Sequence, residues 1–258
     1  MKEITSSKNE WIKNIKKLHR KKHREDMQQY LIEGFHLVEE AINYEASVDT
    51  ILLTARGKKE WSEWLEQQDD EKIVLVSDEV MKSLSDLPTP QGIVAVVDMP
   101  SSEEEVLADL TGSWLALDQV QDPGNVGTMV RTADAAGFSG VIIGDGAADV
   151  YSTKVLRAMQ GSHFHLPIIR GELLPLIERF KREGCAVYGT ELNEEAVQYT
   201  DIEPMSDFLL IMGNEGSGVD SEILKQTTKN LYIPIKGKAE SLNVAIAAGI
   251  LMYSLSIK

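Results

Sequence analysis

The residues able to do chemistry gather where apolar runs break into loops. Phe208-Leu209-Leu210-Ile211-Met212 runs straight into Gly213-Asn214-Glu215-Gly216-Ser217-Gly218, and Leu231-Tyr232-Ile233-Pro234-Ile235 into Lys236-Gly237-Lys238-Ala239-Glu240-Ser241-Leu242-Asn243. Glycines in the first loop let backbone amides approach a ligand at little steric cost. A third polar loop, Thr190-Glu191-Leu192-Asn193, ends another apolar run. Ligands of open α/β sheets bind beyond the carboxyl ends of the strands, so these loops predict one shared pocket. Arg131 lies off the expected buried face Val126, Met129, Val130 and Ala133, about a turn from the expected helix start, where the helix dipole disfavours a cation. It reads either as a surface arginine or as one that awaits an anion. Other side chains offer less. Cys185 has no second cysteine to pair with, and His163 and His165 have no cysteine or carboxylate cluster beside them, so no metal site is expected. His19 and His23 read as surface residues. Gly124-Asn125-Val126-Gly127 lacks the full spacing of a dinucleotide fingerprint, which weakens a nicotinamide reading.

The elements that must hold these loops follow from the apolar pattern. Helices are expected at 9–19 and 27–42, the second from Met27, Leu31, Phe35, Val38 and Ile42, with strands at 50–54, 73–76 and 93–97. Together these make a small α/β domain over residues 1–100. An acidic, weakly apolar stretch containing Pro100 and Gly112 places a linker at 101–112. A second α/β domain then occupies 113–258, with strands at 114–117, 141–143, 186–190, 208–212 and 231–235. Its helices are expected at 125–136, 151–159, 175–182 and 244–255; the last, uncharged and rich in Ala and Gly, suits close packing on other backbone.

Composition bounds the remaining choices. A hydrophobic content of 43% over 258 residues is that of a globular chain. No charge-free run reaches the roughly 18 residues of a membrane span, and no apolar signal core opens the sequence, so a cytoplasmic protein without membrane contact is expected. The net charge of −15 argues against nucleic acid until its distribution is considered. Residues 1–24 carry nine Lys/Arg, Lys8, Lys13, Lys16, Lys17, Arg20 and Lys21 among them, against Glu3 and Glu10, whereas the remainder sets 17 basic residues against 39 acidic ones. That asymmetry suggests a basic arm that meets a polyanion, with a solvated helix face as the plainer reading.

Three segments together resemble the SpoU (TrmH-type) branch of the SPOUT RNA methyltransferases. They are Asn125-Val126-Gly127-Thr128-Met129-Val130-Arg131-Thr132-Ala133, then Gly213 to Gly218, then Ile233-Pro234 with Glu240 to Ala245. Ser7-Lys8-Asn9, Ile32-Glu33-Gly34 and Thr89-Pro90-Gln91-Gly92 look like that family's amino-terminal substrate-binding domain. The resemblance implies a parallel-sheet domain with a carboxyl-terminal trefoil knot, which composition could not reveal. It also implies a homodimer and S-adenosylmethionine held by Thr190, Gly213, Asn214, Ile233 and Leu242. The implied reaction is methyl transfer to a ribose 2′-hydroxyl of RNA, ribosomal RNA being favoured over transfer RNA, with a non-catalytic assembly factor as the alternative. Arg131 would then polarise or deprotonate the hydroxyl, or clamp the adjacent phosphate. Asn125 and Asn243 would orient loops and substrate, Glu215 would brace the second motif, and Ser241 would hydrogen-bond near the cofactor. Gly161-Ser162 departs from the Gly-Ala of many relatives.

Overall fold

The computed structural model describes residues 2–100 and 110–256. The chain divides into two compact units; the first takes the residues up to the linker together with Tyr151–Phe164, and the second takes the rest. The first unit holds a five-stranded sheet ordered β1-β4-β3-β5-β2, with β1 (Lys2–Ile4), β2 (Gln29–Glu33), β3 (Val48–Leu53), β4 (Ile73–Val76) and β5 (Ile93–Asp98). β1, β4 and β3 run parallel, and β5 lies antiparallel to both β3 and β2. The expected strands over 50–54, 73–76 and 93–97 are present with small shifts of boundary. The unit's helices are α1 (Glu10–Lys17), α2 (Lys21–Met27), α3 (Phe35–Asn43), α4 (Ala55–Glu60), α5 (Ser62–Leu65) and α6 (Asp78–Leu84).

Two expectations in this unit require correction. The basic segment is not an arm: Asn9 Oδ1 caps α1 by accepting from Trp11 N at 2.9 Å, and Ile12, Ile15 and Leu18 enter one core with Leu31, Leu52 and Val94. The single helix expected over 27–42 is instead a helix, a strand and a helix. Leu31, Phe35, Val38 and Ile42 imitate a helical stripe, but Tyr30, Leu31 and Ile32 are buried in succession and pair with β5, so tertiary pairing overrides the period. Gly34, at φ 102°, turns the chain from β2 into α3.

The second unit is built on a seven-stranded, wholly parallel sheet ordered β10-β12-β9-β11-β6-β7-β8. Its strands are β6 (Ser113–Leu117), β7 (Gly140–Ile143), β8 (Ile168–Arg170), β9 (Ala186–Thr190), β10 (Val197–Gln198), β11 (Phe208–Met212) and β12 (Lys229–Tyr232). β6 and β11 are buried along their whole length, which is why each reads as a continuous apolar run and not as an alternation. Four helices follow in chain order: α7 (Pro123–Ala135), α8 (Thr153–Met159), α9 (Leu173–Arg182) and α10 (Ser221–Leu224). The last helix is α11 (Val244–Leu255). Although α8 lies between strands of this sheet in sequence, it falls in the first unit, where Tyr151 packs its ring 4.6 Å from that of Tyr30.

The strand expected at 231–235 is displaced to Lys229–Tyr232, because Pro234 has no N–H to give a ladder and Ile233 already leaves the sheet. Of the expected linker, residues 101–109 lie outside the described residues, while Leu110 is fully buried in the second unit's core beside Trp114 and Phe180. α11 buries Ala245, Ala248, Leu251, Met252 and Leu255, yet its other face leaves Ile246, Ile250 and Tyr253 exposed at 57%, 36% and 57%. Among the described residues no helix is long and apolar enough to cross a membrane.

Candidate active site

β11 delivers the first loop. Asn214 and Gly218 exchange backbone hydrogen bonds of 3.0 Å in both directions, closing the loop on itself, and Asn214 Oδ1 accepts from Gly216 N at 2.9 Å and Ser217 N at 3.1 Å. A Cβ on Gly213 would stand 2.2 Å from Gly218 C and Val219 N. Glycine is therefore required there by the chain's own backbone, which replaces the expectation that a ligand imposes the close approach. Asn214 Nδ2 donates to Gln119 O at 2.9 Å, and buried Asp118 accepts from Asp220 N at 2.7 Å, so the loop is tied on both sides to the turn after β6.

That turn leads into α7. Asp122 caps the helix by accepting from Asn125 N at 3.0 Å, with Pro123 as its first residue. Glu215 reaches the same helix start: its carboxylate accepts from Gln121 N at 3.1 Å, Asp122 N at 3.0 Å and Asn125 Nδ2 at 2.9 Å. Partial burial pushes the Glu215 carboxyl up, but these three donors and its own backbone N–H together outweigh it and hold the group below the ordinary glutamate range. Asn125 Oδ1 in turn accepts from Asn243 Nδ2 at 3.0 Å, and Asn243 Oδ1 caps α11 by accepting from Ala245 N at 2.9 Å. One chain of hydrogen bonds, Glu215 to Asn125 to Asn243, thus joins the loop after β11 to the starts of α7 and α11.

Beside this chain lies a cavity of about 630 Å³. Thr190, Gly213, Asn214, Ile233 and Leu242 all line it, as do Glu215, Ser241 and Asn243. Thr190 is anchored rather than free, since its hydroxyl donates to Ile211 O at 3.1 Å. The volume falls within the roughly 300–1,000 Å³ of small-molecule sites. Ile233, Ile235, Leu242 and Leu251 provide apolar walls, while Glu191, Glu215 and Glu240 bring carboxylates to the lining. Such a lining offers both apolar surface and carboxylate residues, which a ligand with a flat base and a cationic centre can use.

A profile of the SpoU rRNA Methylase family matches residues 113–253, which hold the cavity and all three helix and loop junctions. The chain belongs to this family. Residues 9–95 match an MRM3-like substrate binding domain. The 23S rRNA (guanosine(2553)-2′-O)-methyltransferase RlmP of Bacillus subtilis is 47% identical over 255 residues, covering 99% of each chain. The 23S rRNA (uridine(2479)-2′-O)-methyltransferase of Streptomyces viridochromogenes is 31% identical over 87% of this chain and 81% of its own. Among solved structures, an AdoMet-bound rRNA methyltransferase from Sinorhizobium meliloti superposes with a TM-score of 0.87 at 31% identity, over 98% of this chain and 97% of that one. The expected α/β class, with a parallel sheet behind a substrate-binding domain, stands. S-adenosylmethionine is the cofactor of this family's fold, and the cavity lining suits it.

Not every residue named from the sequence reaches the cavity. Asn125 stands behind it, touching it only through Glu215 and Asn243, and Arg131 does not line it. Because α7 begins at Pro123, Arg131 is its ninth residue of 13. The dipole argument for an anion therefore lapses, since that effect fades within the first turn. Arg131 is nevertheless exposed and, among the described residues, makes no side-chain hydrogen bond or ion pair. In the first unit Lys8, Lys13, Lys16, Lys17, Arg20 and Lys21 are all exposed. Lys13 pairs with Glu10 at 2.6 Å and Lys21 with Glu25 at 3.7 Å, surface pairs that a polyanion can displace at little cost. Sequence reasoning missed the amides of Gln121 and Asp122 that hold Glu215. The Asp-Pro pair opening an apolar-periodic segment was the available signal, as it marks a helix start.

Proposed function

We propose that this protein transfers a methyl group from S-adenosylmethionine to a ribose 2′-hydroxyl of 23S ribosomal RNA. The observation that carries the reading is the hydrogen-bonded chain from Glu215 through Asn125 to Asn243, which clamps three sequence motifs around one cavity of fitting size. When bound, the cofactor supplies an activated methyl group on a cationic sulfur. Thr190, Gly213, Asn214, Ile233 and Leu242 hold it, and the carboxylates of the lining favour its charge. A ribose hydroxyl is a weak nucleophile until its proton is drawn away. Arg131 takes the substrate side: its guanidinium donates in a planar fork to the phosphate or the ribose oxygen and holds the hydroxyl in position, the hydroxyl proton passing to solvent water as the methyl group is taken up. The exposed cations of α1 and α2 receive phosphates elsewhere on the RNA.

The target that fits best is the guanosine named for the Bacillus subtilis relative, position 2553 of its 23S rRNA, since identity to that protein extends over the whole chain. The protein works as a homodimer, supported by Ile246, Ile250 and Tyr253, which form an exposed apolar face at i, i+4 and i+7 on α11. Family membership likewise supports a trefoil knot formed where the chain passes from β12 into α11, and a cytoplasmic location. Radiolabelled methyl transfer to 23S rRNA from cells lacking the enzyme tests the reading, with 2′-O-methyl mapping to locate the product. Binding without transfer would make the protein an assembly factor instead.

A further inference from the structure

The second unit is unfavourable ground for a polyanion. Over residues 110–150 and 165–256 it carries nine Lys/Arg against eighteen Asp/Glu. Several of the cations are engaged: Arg170 with Asp149, Arg179 with Glu183, Lys225 with Glu222, and Lys181 through a hydrogen bond to Gln226 O. Arg182 precedes β9 and Lys229 opens β12, so both belong to the amino ends of a parallel sheet whose ligand side is the other end. Apart from Arg131, the cations left are Lys236 and Lys238.

These two stand on a segment that lines the cavity. They belong to the segment from Ile233 to Asn243, which leaves the carboxyl end of β12 and returns to cap α11. The segment is two-sided. Ile233, Ile235, Glu240, Ser241 and Leu242 line the cavity, whereas Lys236 and Lys238 do not. Both lysines are exposed and, among the described residues, have no hydrogen bond or ion pair. Between them, a Cβ on Gly237 would meet nothing within 4 Å, so the tip is open to an incoming chain. On this one short stretch Glu240 thus lines the cavity, while the exposed Lys236 and Lys238 stand off it. That division matches the charges of the two reactants, a cationic cofactor inside and a polyanion outside.

We propose that Lys236 and Lys238 bind backbone phosphates flanking the target nucleotide, making the cofactor loop itself the RNA contact of the methyltransferase unit. The proposal rests on the RNA methyltransferase reading above. Loop and strand then meet directly.

The test compares wild type, Lys236→Gln/Lys238→Gln and Lys236→Arg/Lys238→Arg on protein-free 23S rRNA from a strain lacking the enzyme. Steady-state methylation is followed at several salt concentrations, and cofactor binding is measured by calorimetry without RNA. The Gln pair should lower kcat/KM by about tenfold at moderate salt and reduce the slope of its logarithm against log salt by about 1 to 2. It should leave kcat at saturating RNA and cofactor affinity unchanged, and the Arg pair should restore the wild-type slope. An unchanged slope and kcat/KM in the Gln pair would overturn the proposal. So would weakened cofactor binding with an unchanged slope, which would assign the lysines to the cofactor's own carboxylate. Should wild type transfer no methyl group to this RNA, the functional reading itself fails and takes the lysine contact with it.

Discussion

Glu215→Gln is the sharpest perturbation of the site, because it changes one atom and a charge at the junction of three motifs. The carboxylate accepts from two backbone amides and from Asn125, with Oε1 taking Asp122 N and Asn125 Nδ2, and Oε2 taking Gln121 N. Glutamine with its carbonyl at the Oε1 position keeps two acceptor contacts but weakens both, since a charged acceptor is roughly twice as strong as a neutral one. Its amide nitrogen then confronts the Gln121 N–H, donor against donor. Losing one charged hydrogen bond and weakening two others would remove about 2–4 kcal/mol in a dry site; Glu215 is solvent-accessible, and roughly half of that is the realistic figure. A net loss of about 1–2 kcal/mol corresponds to a roughly 5- to 30-fold weaker cofactor affinity if the loop must be ordered to bind. Calorimetric titration of wild type and variant reads this directly. The sign with pH also follows. The folded carboxyl is held below its unfolded value, so its contribution to stability is complete above the ordinary glutamate range and disappears as pH falls through the folded pKa. Wild type should therefore lose stability on the acid side, below roughly pH 4, in a component that Glu215→Gln lacks. Cofactor affinity within twofold of wild type, together with an unaltered acid limb, would refute the clamp.

Three further outcomes are expected. Gly213→Ala should lower Tm by about 2–10 °C through overpacking against Gly218 and Val219, and cofactor binding should fall with it; a Tm equal to wild type would mean that the loop yields freely. Replacing Lys13, Lys16, Lys17, Arg20 and Lys21 by Gln should weaken RNA binding and flatten its salt slope by about one unit per contacting residue, with cofactor affinity intact; an unchanged slope removes this face from the RNA site. Arg131→Lys should bind cofactor and RNA almost as wild type yet lose most turnover, and Arg131→Ala should lose about 100-fold or more in kcat; single-turnover methylation by the alanine variant at the wild-type rate would make Arg131 a surface residue.

How much of this was legible without coordinates differs by element, for physical reasons. β9, β11 and α11 have the boundaries that their sequences predict; for β11 and α11 this is because a strand buried on both faces and a charge-free helix each leave an apolar run between polar or glycine stops. The segment around β2 misled because spacings of three and four residues served a strand and a helix in turn, and only pairing with β5 distinguishes them. Residues lining the cavity were readable as strand ends, since topology alone brings such loops together. Their interactions were not. Nothing in the run Gly213 to Gly218 tells that Gly213 makes room for the loop's own backbone, or that Glu215 serves the amides before α7. The Asn125 and Asn243 contact spans 118 residues and joins two side chains that each look like ordinary loop asparagines. Local sequence therefore specifies what each loop can offer, and the sheet order decides which offers meet. Arg131 shows the converse: its isolation was argued from a helix start that proved to lie two residues earlier, and the argument that remains is its exposure without a partner on a helix tied at its first turn to the residues lining the cavity.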